Sequence, residues 1–584
     1  MSTDEAISHD KMKSIAYDTE KMASSSKNQP GNSIEVPERD AQAGVQKVEA
    51  ITLAWSRTSL IIAYVLIWIV YFIMLLQQGA QGALNPYVTS AFQFHSLTPT
   101  VGIVSSVIGG VCNLTIAKIL DVFGRPQGYA VSLLITTIGL IMMAATTSVE
   151  MYAAAEVFWT VGNSALLYSI NIFVADTTAL KNRGLMTALT SSANIITVWL
   201  AGPLSEAFLK GPGWRWCFGA LSILVPILCL PLLVLLFVNY AKAKSQGLFL
   251  KSNHDTKTTT PLTRLVYYAH EFDVVGLLLL TAGLSLFLLA FNLWPLQPQG
   301  WRAPIVICFL VFGLLLTVLF ALWEKYFATV TFIPFSLLTD RNMIGSYVLG
   351  ATVFISYFCW NSYFSSFLQV VNGLSVTESS YIIQSYSLVG SLSSIATGVV
   401  IRYTGRFKVI TLYFAIPIYV LFSGLMIYFR SPGQSVGYIV MCQIFIAIGS
   451  GVIIITPQIA AMSVASHQHV AVILAILSMF SSVGGAIGLA IAGAIWQGIF
   501  PVRLAKYLPS EAQSNALIIY SSLEAQLAYP VGTPTRYAIQ QAYGDAQKMM
   551  LTASVAIWVI GIAAVMSWRN VNVKEVKQAK GVII

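Results

Sequence analysis

Apolar windows of about 20 residues recur along the chain, separated by short polar segments. Each window is long enough to cross a hydrocarbon core of about 30 Å as a helix. Because backbone N–H and C=O groups find no water in lipid, such segments take the helical form. The pattern predicts an all-α integral membrane protein. Its fourteen predicted helices lie at about residues 58–80, 97–119, 127–147, 150–175, 185–208, 217–239, 272–293, 303–323, 343–370, 380–401, 408–429, 436–460, 470–498 and 547–568.

Polar segments divide these helices into units. Residues 1–57 are mostly polar and lack an apolar core, a composition typical of a disordered tail. The remaining units are an N-terminal six-helix half (58–239), a linker (240–271), two inserted helices (272–323), a C-terminal six-helix half (343–568) and a tail (569–584). The C-terminal half includes a long loop at 499–546 that carries six aromatic side chains, and loops this long are usually functional or disordered.

The positions of the charged residues predict which side of the membrane the chain termini face. An even number of helices puts both termini on one side, and a cytoplasmic location for them puts most of the 33 Lys and Arg residues inside. The net charge of +9 is then loop charge facing an acidic leaflet, which argues against a nucleic-acid partner. The six cysteines show no CxxC spacing and are expected to be packing residues.

One short motif interrupts the apolar pattern and returns in weaker form. The sequence ILDVFGRPQ (119–127) places Asp121, Gly124 and Arg125 after the second predicted helix. Gly398, Arg402, Gly405 and Arg406 repeat the spacing after the tenth helix. A glycine permits a tight turn, and the charges can form contacts that hold one conformation and release in another. Two related halves point to a transporter that rocks around a central site.

These residues resemble the loop signature of the major facilitator superfamily, in which a small residue is followed by Asp, Gly and a basic residue. Ala117, Asp121, Gly124 and Arg125 match it, whereas Pro126 replaces the usual second basic residue. The resemblance implies a major facilitator fold with two six-helix halves plus two extra helices. It also implies gating roles for Asp121, Gly124 and Arg125. We expect similar roles for Asp176, Arg183 and Arg406, which lie in other short loops or at their edges.

Four further stretches narrow the resemblance to the fungal siderophore–iron transporters. They are HSLTPTVGIV (95–104), LDVFGRP (120–126), ADTTALKNRGL (175–185) and GWRW (213–216). The similarity covers about residues 58–570 and includes the long loop before the last helix. It implies import of ferric siderophores, often hydroxamates, by proton symport with alternating access. It further implies a plasma membrane or endosomal vesicle membrane, with both termini cytoplasmic and a monomeric protein.

In this superfamily the first, fourth, ninth and twelfth of fourteen helices are the expected cavity liners. Their aromatic and amide residues suit a bulky, mostly neutral chelate that stacks on rings and bonds to amides. A bare metal ion would need clustered carboxylates, thiolates or histidines, so iron is expected only as cargo inside its ligand, with no resident metal or cofactor. Packing or membrane-interface roles are the alternative. The candidate cargo contacts are Tyr71, Gln77, Asn163, Tyr168, Asn171, Tyr357, Trp360, Asn361 and Tyr363.

Glu156 is the candidate for proton coupling. It lies about two turns into the fourth predicted helix, between AAA and VFW. A carboxylate inside a membrane is costly and is by default a functional candidate. The alternative is a carboxylate hydrated at the outer mouth of the transporter.

Other functions fit the sequence less well. The same fold could carry other cargo, as a haem importer or as an antiporter exchanging glutathione or a drug for protons. An enzyme is not expected, since neither a nucleophile–base arrangement nor a GxxxxGK[ST] loop is recognisable. For the 499–546 loop two roles stay open: a lid on which tyrosines receive an arriving siderophore, or a segment packed on the outer mouth.

Overall fold

Long helices occupy all fourteen predicted positions in the computed structural model. It describes residues 55–122, 124–178, 186, 189–190, 192–246, 273–294, 297–328, 340–463 and 470–572. The helices are α1 Arg57–Ala91, α2 Thr98–Val122, α3 Arg125–Ala145, α4 Val149–Thr177, α5 Asn194–Lys210, α6 Trp214–Ser245, α7 Val274–Leu293, α8 Pro304–Tyr326, α9 Arg341–Asn361, α10 Val376–Thr404, α11 Ile416–Phe429, α12 Val436–Met462, α13 Val470–Tyr507 and α14 Pro534–Ala556. Short helices at Phe364–Val370, Phe407–Ile410 and Trp558–Ser567 extend α9, α11 and α14.

Twelve segments of the described chain are long and apolar enough to cross a membrane. The two helices outside that set are α5, which has 17 residues, and α10, which is rich in hydroxyl and amide side chains. Both nevertheless pack inside the bundle against each other. The all-α membrane fold is therefore confirmed, and the count of fourteen crossings stays a prediction.

The two six-helix halves meet along two helix pairs. Helix α2 of the first half packs on α13 of the second, and α5 packs on α10. The inserted helices α7 and α8 pair with each other, and α7 also contacts α2 and α13. Buried Asn292 on α7 donates to the carbonyl of Ala490 on α13 at 3.2 Å, and its side-chain oxygen accepts from Thr100 on α2 at 3.4 Å. The inserted pair is thus attached to both halves.

The two copies of the loop motif share a glycine with positive φ, and the internal repeat itself stays a prediction. Gly124 before α3 has φ +107°, and Gly405 after α10 has φ +71°. Both angles lie in a region that side chains with a Cβ rarely adopt, which explains a glycine at each copy. Each glycine is followed by an arginine at the start of the next helical segment, Arg125 in α3 and Arg406 before Phe407.

The predicted loop at 499–546 is largely helical, so its boundaries are corrected. Helix α13 continues to Tyr507 and α14 begins at Pro534. Only residues 508–533, here called the cap, connect them, and they include the short helices Ala516–Ser521 and Leu523–Leu527. The helices extend further than hydropathy suggests because the loop aromatics Phe500 and Tyr543 are fully buried against Trp496. The bundle end that carries the cap is called the cap end, and the opposite end, where Arg57 and Asn572 lie, the terminal end.

Arg536 fixes the cap to the second half. Its guanidinium is almost fully buried, and it donates to the carbonyls of Val370 and Gln369 at 3.0 and 3.2 Å. It also donates to the cap carbonyls of Gln526 and Tyr529 at 2.6 and 3.3 Å. One cation therefore joins the cap, α14 and the extension of α9.

Arg536→Ala should destabilise the protein because the carbonyls of Gln369, Gln526 and Tyr529 lose this donor, whereas that of Val370 keeps a bond from Gln540 at 3.3 Å. The expected cost is at least about 3 kcal/mol, since buried unsatisfied groups cost about 1–3 kcal/mol each. Arg503→Ala is the matched control: Arg503 is half-exposed and pairs with Asp545 at 3.2 Å, a type of contact worth about 0–1 kcal/mol. Thermal unfolding of both variants in detergent would measure the difference in their stability. Equal melting temperatures would contradict a stabilising role for the hydrogen bonds of Arg536.

Candidate functional site

Four of the predicted cargo residues in the first half pair with one another. The Tyr71 hydroxyl donates to Asn171 Oδ1 at 2.6 Å, and Gln77 Nε2 donates to Asn163 Oδ1 at 3.1 Å. Tyr71, Gln77 and Asn163 are buried, whereas Asn171 is exposed. These bonds hold α1 against α4.

Tyr168 lies away from these pairs. It is half-buried and packs against an apolar cluster built from α2, α7, α9 and α13. Its place in the fold is therefore beside the α2–α13 contact between the halves. A cargo contact for Tyr168 stays a prediction.

The second half brings polar residues of α9, α10 and α12 together. Asn361 donates to the Tyr357 hydroxyl at 3.1 Å, and the Tyr357 ring lies 5.3 Å from that of Tyr386. Tyr386 shares a hydrogen bond of 2.6 Å with Ser450. Ser385 donates to Gln443 Oε1 at 3.3 Å. We call this set, Tyr357, Asn361, Ser385, Tyr386, Gln443 and Ser450, the central polar cluster.

Two amide atoms of the central polar cluster have no partner within the described part of the chain. They are Oδ1 of Asn361, an acceptor, and Nε2 of Gln443, a donor, and both atoms are buried. A buried unpaired amide atom is unusual, because its desolvation is not compensated. The cluster can therefore accept one hydrogen bond and donate another to a ligand that stacks on its tyrosines.

Trp360 and Tyr363, predicted as cargo contacts, are packed against other rings in this conformation, and their contact with cargo stays a prediction. Each is 1% exposed. The Trp360 ring meets Tyr357 and Tyr386 edge-on, so it backs the central polar cluster from behind. Tyr363 stacks on Trp496 with ring centroids 4.0 Å apart and points to the cap end. Sequence position alone could not separate a ring facing cargo from a ring behind it.

Helix α10 contributes site residues that sequence analysis missed. The expected cavity liners did not include it, yet Ser385 and Tyr386 face α12, where they bond to Gln443 and Ser450. On the same helix, Gln384 Nε2 lies 2.9 Å from where a Cβ on Gly79 of α1 would be. The polar composition of α10, unusual for a membrane helix, is the sequence signal that identifies it.

Glu156 is buried rather than hydrated. Its side chain is 6% exposed, and Oε2 has no hydrogen-bond partner among the described residues. Gly102 of α2 is beside it, because a Cβ there would lie 4.0 Å from Oε1 and 3.0 Å from Leu489 of α13. The carboxyl group therefore faces the contact between the two halves, and the alternative of a carboxylate hydrated at the mouth is wrong for this conformation.

The predicted gating residues at the terminal end are only partly described. The side chains of Asp121 in α2 and Asp176 in α4, and all of Arg183, lie outside the described residues. Arg125 begins α3 beside Tyr129 and Ser169, and Arg406 is exposed with its backbone paired to Asn572. Gly124 forms the expected turn, and the gating roles of all six residues stay predictions.

The halves are hydrogen-bonded to each other at the cap end, which sequence analysis did not predict. The carbonyl of Ser96 accepts from the Tyr363 hydroxyl at 2.8 Å and from Gln497 Nε2 at 3.4 Å. The cap joins in, since the Leu523 N–H donates to Ser90 Oγ at 3.0 Å.

Two more bonds continue this closure. The Thr377 N–H at the start of α10 donates to Glu206 Oε2 on α5 at 2.9 Å, and the Tyr87 hydroxyl donates to Gln369 Oε1. We call the set the cap-end gate. In this conformation the gate is closed.

The sequence of this chain matches a family model and several known proteins. Residues 67–489 match the family model of the Major Facilitator Superfamily. The "MFS siderochrome iron transporter 1" of Ajellomyces capsulatus is 50% identical over 545 residues, covering 93% of this chain and 92% of that protein. The "Siderophore iron transporter mirB" of Emericella nidulans is 40% identical, covering 94% and 90%. The "MFS siderochrome iron transporter B" of Aspergillus fumigatus is also 40% identical, covering 94% and 88%.

A solved structure agrees at the level of the fold. A bacterial homologue of the human lysosomal transporter Spinster, in an inward-facing and unoccupied conformation, aligns with a TM-score of 0.54 at 13% identity. The alignment covers 88% of this chain and 98% of that one. The sequence matches establish that the chain belongs to the major facilitator superfamily and, within it, to the fungal siderophore–iron transporter family.

Proposed function

We propose that this protein imports ferric siderophores, of the hydroxamate type, by proton symport with alternating access. The observation that carries the proposal is the central polar cluster, with its two neighbouring tyrosine rings and its two unpaired amide atoms. Its curated relatives are named siderophore or siderochrome iron transporters. A neutral ferric chelate offers carbonyl oxygens and amide groups on a bulky surface, which such a cluster can stack against and bond.

The cargo is the whole chelate rather than a bare iron ion. The described residues contain no group of three or more His, Cys, Asp or Glu side chains that could hold a metal. The central polar cluster instead supplies hydroxyl and amide groups, which are poor ligands for ferric iron but good partners for its chelator. Iron is therefore proposed to be substrate inside its ligand.

Glu156 is proposed to carry the coupled proton. An ionised carboxylate without a partner is costly in a membrane interior, so Glu156 is held neutral while the halves enclose it. Opening to either side would hydrate the carboxyl group and let its proton exchange. Its position beside Gly102 and Leu489, at the contact between α2 and α13, supports this role.

In this conformation the transporter is closed at the cap end. We assign the cap end to the outside and the terminal end, with both chain termini, to the cytoplasm of a plasma membrane or endosomal vesicle. The excess of Lys and Arg in the predicted cytoplasmic segments supports this orientation. Each cycle then requires the gate's hydrogen bonds to break for loading and to re-form before release.

Radio-iron uptake tests the function. In a yeast strain without siderophore synthesis or uptake, expression of this chain should give saturable uptake of one class of ferric siderophore, abolished by a protonophore. Parallel wells would contain haem and iron citrate. Uptake of haem alone, or no uptake from any source despite protein at the cell surface, would overturn the proposal in favour of another cargo or of export.

Glu156→Gln should abolish accumulation while leaving cargo binding at the cell surface intact, because the amide keeps the shape of the side chain but cannot release a proton. The matched control is Glu150→Gln on the same helix, where the side chain is exposed and the change should have no effect. Accumulation and surface binding of radio-iron would be measured for both. Normal, protonophore-sensitive accumulation in Glu156→Gln would remove the residue from coupling.

Tyr357→Leu should raise the KM for uptake by roughly ten-fold or more, because it removes both a stacking face and the hydroxyl bonded to Asn361. Tyr413→Leu on the segment leading into α11 is the control, since Tyr413 is 75% exposed on the outside of the bundle. Initial rates across cargo concentrations would separate KM from the amount of protein. An unchanged KM in Tyr357→Leu would exclude the cluster as the cargo site.

A further inference from the structure

His95 is a buried histidine at the centre of the cap-end gate. It lies in the short turn between α1 and α2 and is 0% exposed. Its ring meets Tyr363 edge-on at 5.8 Å and Trp496 edge-on at 6.2 Å, both residues of the second half. The next residue, Ser96, supplies the carbonyl that Tyr363 and Gln497 bind. The turn is thus held by the opposite half on two sides.

Neither ring nitrogen of His95 has a hydrogen-bond partner in the described part of the chain. The backbone carbonyl of Pro86 is the acceptor that interacts with the ring. A neutral imidazole can direct its one N–H towards this carbonyl, whereas a protonated ring would bury a charge with no counter-ion bonded to it. The closed gate therefore accommodates the neutral ring and disfavours the charged one.

The neighbouring elements carry few groups that could stabilise a charge on the ring. Tyr87 from α1, Tyr363 from the α9 extension and Tyr520 from the cap are phenols that are neutral near pH 7. The charged groups on these elements are the exposed carboxylates of Glu511 and Glu524 in the cap, and Arg503 and Lys506 near the end of α13, and none of them is hydrogen-bonded to His95 in the described part of the chain. Helices α2 and α13 face the ring with threonine, Trp496 and Gln497. Edge-on aromatic contacts compensate only part of the hydration free energy that an imidazolium loses on burial.

We propose that His95 is a positioning residue that couples proton uptake from the cap side to opening of the gate. When the gate opens, water reaches the imidazole and the ring accepts a proton. The charged ring then cannot return between Tyr363 and Trp496, so acidity on the cap side favours the open state. Closure expels the proton or passes it inward. The inference assumes a rocking transporter, as proposed above, but it does not depend on the cargo.

The test follows gate opening directly, without cargo. Spin labels on Thr147→Cys, in the exposed loop between α3 and α4, and on Val531→Cys, exposed in the cap, report the distance between the halves. The background carries Cys308→Ser, because Cys308 is the exposed one of the six cysteines. The cap reports on the second half, since Arg536 fixes it there.

Pulsed electron-electron resonance on the purified chain should show the long-distance population rising about three-fold or more from about pH 7.5 to about pH 5.5, the range in which histidine titrates. In His95→Gln, which stays neutral, that rise should be lost. Tyr363→Phe is the control: it removes the bond to Ser96 but keeps His95, so it should open more at both pH values and keep the pH response.

Either of two results would overturn the inference: no pH response in the parent protein, or an undiminished response in His95→Gln. Loss of the response in Tyr363→Phe as well would assign it to gate packing and count against His95. Because the distances are read without siderophore, an error about the cargo would leave them unchanged. Failed uptake with an intact pH response would therefore count against the proposed cargo and leave the role of His95 standing.

Discussion

Polar groups inside a membrane protein must find partners within the chain, and this constraint shapes most of the structure. Tyr71 with Asn171, and Gln77 with Asn163, join α1 to α4 in this way. In the second half, Ser356 bonds to Ser554 at 2.8 Å and accepts from Trp558 at 3.1 Å, joining α9 to the last helix. Other buried polar atoms of the described residues have no partner in this conformation, and some of them lie at positions that bear on transport. Glu156, Asn361, Gln443 and His95 each retain a buried atom without a partner. All four lie where the halves meet or around the proposed cargo site.

The order of the helices could be predicted from hydropathy because lipid imposes length and composition on each crossing. The turn at Gly124 and its repeat at Gly405 could be predicted because a positive φ restricts the residue type. The ring partners of Trp360 and Tyr363 in this conformation could not, since a ring facing cargo and a ring facing another ring give the same sequence pattern. The helix ends near the cap could not be predicted either. The helices extend there because Phe500 and Tyr543 pack on protein rather than on lipid, which hydropathy does not detect.

The cap-end gate combines contacts of different kinds. A carboxylate on Glu206 accepts from the first turn of α10, where unpaired N–H groups and the helix dipole favour negative charge. Lys210, 2.6 Å from Glu206, is exposed and adds little. The remaining bonds are neutral, so no single one dominates. Several weak bonds of this kind can form and break within a transport cycle more readily than one strong buried ion pair.

Asn292 gives the inserted helices a mechanical part in that cycle. Its amide bonds to α13 on one side and to α2 on the other, and α13 carries Gly493 at the point of contact, where any Cβ would collide with the amide oxygen. A rotation that separates α2 from α13 near Thr100 must strip this amide of one partner in an apolar environment. The hydrogen bonds of Asn292 to both halves therefore favour the closed arrangement over one in which α2 and α13 separate near Thr100.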